Sequence, residues 1–163
     1  MARTLGYLLA FAVIGYGLWP YYTIFRLDTA LAGSDPNEIA PYVDVPAIQE
    51  SYRRRLDGAA DAFLPKGGDS DSERAIAWLA ENLKRLGEGA LDQAITLAWA
   101  RSTLREAAAR ASDTESTHFI AGIDFAFFES WDRFVIRLGE LGRETHVVMG
   151  LEGGRWRVVD IVR

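Results

Sequence analysis

Near its start the chain has no charge from Thr4 to Phe25, and the run from Leu5, LGYLLAFAVIGYGLWPYYTIF, is apolar all round a helix rather than along one stripe. At 1.5 Å per residue it covers about 31 Å, matching the hydrocarbon core of a bilayer. Residues 1–25 therefore read as a transmembrane anchor and residues 26–163 as a single domain. Pro20 removes the hydrogen bond owed to residue 16, so a kink or an exit from the membrane is expected there. Helix is expected to resume over Tyr22–Leu31 until Gly33, and Asp35-Pro36-Asn37-Glu38 reads as a new start that Pro41 ends. Asp44-Val45-Pro46 opens a longer helix, with Asp44 as its N-cap and Ile48, Tyr52, Leu56 and Phe63 at helical spacing. Pro65 stops it. A polar loop over Lys66–Asp71 precedes two more helices, Ser72–Leu86 and Ala90–Ala111, on whose apolar stripes Trp78 and Trp99 fall.

After Ser112-Asp113 the period changes from 3.6 to 2. Phe119, Ala121, Ile123, Phe125 and Phe127 alternate with more polar neighbours and predict a strand. Three further runs, Arg133–Leu138, Thr145–Leu151 and Arg155–Val162, are joined by short Gly-containing connections, as in hairpins. Helices followed by a four-stranded antiparallel meander make the fold class α+β.

Composition narrows what the domain does. A net charge of -5, from 23 acids and 18 bases, disfavours a general nucleic-acid binder, which neutralises phosphates with Lys and Arg. Zero cysteines exclude disulfides, thiolate zinc sites and thiol catalysis. With two histidines, His118 and His146, the sequence carries no metal or cofactor motif. Gly67-Gly68 and Gly153-Gly154 lack the setting and the lysine of a phosphate loop and read as turns.

Four short segments carry a family resemblance: Trp19-Pro20-Tyr21-Tyr22, Val43-Asp44-Val45-Pro46, Glu129-Ser130-Trp131-Asp132-Arg133-Phe134 and Trp156-Arg157-Val158-Val159-Asp160-Ile161. In this order they resemble the bacterial DUF2939 family, with Val45 where the family usually has Phe. The resemblance implies an N-terminal hydrophobic segment, a helical start and a C-terminal β-hairpin, and hands over no catalytic residues. The element order is also similar to cone-shaped NTF2-like or cystatin-like domains, an analogy of fold alone.

Side-chain chemistry leaves two classes of function open. The first is a non-enzymatic interaction or small-ligand-binding module of the bacterial envelope, tethered near a membrane complex. The second is a hydrolase or isomerase with a sheet-lined cavity, using His146 with Asp124 or Asp160; alternation puts His118 and Asp124 on one side of the first strand. Asp160 falls with Trp156, Val158 and Val162, where a carboxylate must be paired, hydrated or displaced by a bulge. Arg53-Arg54-Arg55 reads as a solvated helix face or as a contact for anionic headgroups. Gly6 and Ala10 form one small-xxx-small step for helix pairing. Arg3 and the terminal amine place the amino terminus inside and the domain in the periplasm, on the inner membrane. A cleaved signal peptide is the competing reading, with Leu5–Leu18 as its core and Ala30-Leu31-Ala32 before the cut.

Overall fold

A computed structural model describes residues 2–63, 89–112, 118–140 and 142–162 of the 163-residue chain. The loop expected over Lys66–Asp71, the helix expected over Ser72–Leu86, Trp78 and Gly67-Gly68 lie outside the described residues.

Helix α1, Ala2–Ala32, is one rod that passes through Pro20 without ending. Exposure divides it. Arg3 to Gly15 are exposed on every side, whereas from Tyr16 onward one face packs into the domain and buries Pro20, Ile24, Leu27 and Leu31. That packing offsets the hydrogen bond lost at Pro20, since an amphipathic face held by tertiary contacts outweighs one propensity penalty. Asp35 caps a short 3-10 turn, Pro36–Ile39, by accepting from the Asn37 N–H at 2.9 Å, with Pro36 at its start as expected.

Helix α2, Val45–Phe63, begins at the expected cap: the Ala47 N–H donates to Asp44 Oδ1 at 3.0 Å. Ile48 is fully buried, while Leu56 of the expected stripe is half exposed. The long helix expected over Ala90–Ala111 is broken. Residues 89–94 are helical, and α3, Leu97–Ala111, restarts after Thr96, whose hydroxyl accepts from the Trp99 N–H at 3.2 Å. Gln49 of α2 fills the break by donating to the Ile95 carbonyl at 2.9 Å.

Four strands follow in the order β1-β2-β3-β4, all antiparallel: β1 Ile123–Ser130, β2 Arg133–Leu138, β3 Thr145–Glu152 and β4 Arg155–Val162. Gly153 and Gly154 both have positive φ (54° and 74°), the conformation a two-residue hairpin turn demands. Phe128, Phe134, Met149 and Val158 form one row across the sheet's inner face. Against that face lies α1, with Tyr21 edge-on to Phe134 at 5.1 Å and Tyr16 stacked on Phe128 at 5.8 Å. Trp156, 1% exposed, completes an aromatic cluster with Phe128 and Phe134.

Two irregularities reset the faces read from alternation. Residues 119–122 form a 3-10 turn rather than strand, and a register shift between Ile123 and Phe125 turns Ala126 and Phe128 inward. Phe125 and Phe127 consequently point outward, 53% and 40% exposed. A second shift, between Val148 and Met149, leaves Val159 without a pairing partner and moves Asp160 onto the outer row with Phe127, Val135 and Val148. The outer edge of β4 is covered: the Asp44 N–H donates to the Val158 carbonyl at 2.9 Å, and the Val158 N–H to the Tyr42 carbonyl at 2.8 Å.

Candidate functional site

A cleft of about 410 Å³ opens between α2 and the outer face of the sheet, with Ser51, Arg54, Asp132, Arg133, Glu152 and Asp160 among its walls. Its charges arrive from α2, β2, β3 and β4, and the β4 bulge at Val159 turns Asp160 towards α2. Arg55 meets that carboxylate with a two-pronged contact, Nη1 to Oδ2 at 3.0 Å and Nη2 to Oδ1 at 2.7 Å, while lying over the Tyr52 ring at 4.4 Å. The Ile161 N–H donates to the same carboxylate at 2.8 Å. Both expectations for Asp160, displacement by a bulge and pairing, are thus met together.

The Arg53-Arg54-Arg55 run is spent within the domain instead of forming an unpaired face. Arg53 pairs with Glu50 and Asp92, Arg54 lies 3.7 Å from Glu50, and Arg55 holds Asp160. At the end of the cleft, Glu152 lies against Asp44, and Arg157 reaches Asp44 Oδ2 at 3.3 Å. Desolvation, and then the neighbouring Asp44 carboxylate, hold the Glu152 carboxyl above its usual range.

A carboxyl raised in the fold contributes stability that is complete below its unfolded pKa, near 4.3, and is lost as pH rises through the folded value. Glu152→Gln, which mimics the protonated form, is therefore expected to raise the melting temperature at pH 7. Wild type and variant should converge as the pH falls below about 4. Thermal melts at the two pH values check this, and an equal gain at both would contradict it.

A second cleft, of about 490 Å³, lies beside the β2–β3 connection, where Arg110, Arg143, Glu144 and His146 converge. Its own backbone N–H, and then that of Gly142, donate to the Glu144 carboxylate and hold it below the ordinary range. His146 stands opposite Arg137 in the β2–β3 register, and Arg137 pairs with Asp124. The guanidinium thus engages the carboxylate that the sequence offered to His146. Asp160 is likewise held by Arg55.

A histidine–carboxylate contact does form, between other partners. His118 lies outside β1, so it does not share a strand face with Asp124; its Nδ1 is 3.1 Å from Oδ2 of Asp28 on α1. Asp28 is buried and also accepts from the Ile120 N–H at 3.2 Å, satisfying the start of the 3-10 turn. This pair closes the far end of α1 onto the sheet. A signal for it was present: Asp28 is a lone acid on the stripe that carries Ile24, Leu27 and Leu31. Among the described residues no group of three His, Asp or Glu side chains is assembled to hold a metal ion.

The family described as "Protein of unknown function (DUF2939)" matches residues 9–103, more than half of the chain. The chain belongs to the DUF2939 family. Two of the four motifs fall inside the DUF2939 match, and the structure gives them work. In Trp19-Pro20-Tyr21-Tyr22, Pro20 is buried and Tyr21 packs on Phe134; in Val43-Asp44-Val45-Pro46, Val43 and Asp44 cover the edge of β4 and cap α2. The sheet itself follows the end of the DUF2939 match. No curated protein and no solved structure matches the chain.

Proposed function

We propose that this DUF2939 protein is a membrane-anchored, non-enzymatic interaction or small-ligand-binding module of the bacterial envelope, acting as an accessory to a membrane complex. The observation that carries the reading is the division of α1: an apolar first half on which no described residue packs, continuous with a second half that is core. The helix is long and apolar enough to cross a membrane, a test that a signal sequence near the N-terminus also passes. Cleavage before Gly33 would remove Leu27 and Leu31, 0% and 1% exposed, from the middle of the core. A leader that supplies core cannot leave without a cost of about 2–5 kcal/mol for each such leucine, which supports retention.

The domain then sits on the periplasmic side of the inner membrane, following the charge bias at Arg3. Tethering raises its local concentration beside membrane partners, and the charged clefts beside α2 and beside the β2–β3 connection are where a small ligand would seat. Binding is favoured over hydrolysis or isomerisation because Asp124 and Asp160 are each engaged by an arginine instead of orienting His146.

Affinity purification of the intact protein from membranes in mild detergent, followed by mass spectrometry, tests the accessory role. Reproducible co-purification of a membrane complex is expected, and isolation of the protein alone would count against it. Carbonate washing tests the anchor: the chain is expected in the pellet, with the α1 sequence retained. A soluble product, or one beginning at Gly33, would overturn it.

A further inference from the structure

The part of α1 that stays exposed among the described residues, Arg3 to Gly15, is 13 residues long. At 1.5 Å per residue that is about 20 Å, short of a hydrocarbon core of about 30 Å. A span shorter than the core is met by local thinning of the bilayer and by snorkelling flanking side chains, so the sheet, which flanks α1 from Tyr16 onward, is drawn down onto the membrane surface. Going back along α1 from Asp28 to Tyr16, its contacts move along the chain from Ile120 to Phe128. β1 therefore heads towards the bilayer as it runs, and the turn beyond Ser130 is its leading tip. Trp131 occupies that turn and is 73% exposed.

We infer that the β1–β2 hairpin tip is immersed in the headgroup layer of the same bilayer, with Trp131 as an interfacial anchor. The inference rests on the membrane-anchored reading above. Trp131 on the sheet and Trp19, exposed on α1, then both line the interfacial layer. Its neighbours suit that depth. Glu129 pairs with Arg133, and Ser130 donates to Asp132 at 2.6 Å, so the polar groups around the ring arrive partnered instead of bare. With acids on both sides of the ring, attachment here relies on the interfacial preference of tryptophan rather than on attraction to anionic lipid. The domain is thereby fixed at two points, which sets its orientation as well as its distance from the membrane.

The chain contains no cysteine, so single-cysteine variants of the full-length protein can each carry one environment-sensitive dye. Three positions suffice in phosphatidylcholine vesicles: Trp131→Cys at the tip, Phe11→Cys in the span and Glu140→Cys at the opposite end of the sheet. The expected result is quenching of the 131 dye by headgroup-spin-labelled lipid, quenching of the 11 dye by lipid labelled deep in the chain, and no lipid quenching at 140. Position 11 quenched with 131 no different from 140 overturns the tip assignment and leaves the anchor standing. Position 11 unquenched means that the anchor reading itself has failed. A 131 dye shielded from both lipid quenchers and aqueous iodide means that a second copy of the chain covers the tip, and this also overturns the lipid assignment. Trp131→Phe, with the remaining tryptophans read against brominated lipid, gives the same answer without a dye: the wild type should lose more emission.

Discussion

Trp156→Ala is expected to destabilise the domain by about 3–5 kcal/mol, a large share of the roughly 5–15 kcal/mol that holds a domain folded. The indole is 1% exposed and touches Tyr16, Phe128 and Phe134, so its removal leaves a cavity where helix α1 meets strands β1, β2 and β4. Denaturant titration of the detergent-solubilised protein, followed by circular dichroism, measures the effect as a lower midpoint with an unchanged slope. Trp156→Phe should cost much less. The indole Nε1 is buried without a hydrogen-bond partner among the described residues, so phenylalanine keeps most of the packing and removes an unsatisfied donor. A phenylalanine variant as damaged as the alanine one would mean that the indole N–H is satisfied after all.

Arg55→Ala ranks second, at about 3 kcal/mol. It strands Asp160, 8% exposed, without its guanidinium, and breaking a buried pair from one side costs about 3–5 kcal/mol. The lower end applies because the Arg55 side chain is 39% exposed and part of its charge stays hydrated. The control is the double variant Arg55→Ala with Asp160→Asn, which removes the stranded charge. Recovery of at least half the loss is expected in a double-mutant cycle, and additive losses would show that Arg55 stabilises through its stem and the Tyr52 ring alone.

What sequence could and could not foresee divides along physical lines. Local signals were readable: the Asp44 cap, the Pro36 start, the Gly153-Gly154 turn and the runs of β2, β3 and β4 each lie within a few residues of their cause. The faces of β1 and of the end of β4 were misread because each contains a bulge, and one extra residue exchanges the two sides. Apolar residues occupy both sides there, so alternation carries no warning. Thr96 hid within a run of helix formers, and its hydroxyl rather than a proline or glycine makes the break. The pairs Asp28 with His118 and Arg55 with Asp160 join positions 90 and 105 residues apart, and only the packing of α1 and α2 on the sheet brings them together. The candidate chemistry at His146 depended on such a distant pairing, and the register supplied Arg137 in place of a carboxylate.

The uninterrupted rod of α1 has a mechanical consequence. If the exposed half lies in lipid as proposed, the helix carries an axial tug or tilt from that half to the half clamped by Leu27 and Leu31, with Pro20 as the one proline between them. In that proposed setting a thicker bilayer would stretch the mismatch at a cost of fractions of a kcal/mol per ångström, and the Tyr16–Phe128 stack would be the first joint to feel it. On the proposed anchoring, the domain's folded state would be loaded by the membrane, like a gauge bolted to the surface whose strain it reads.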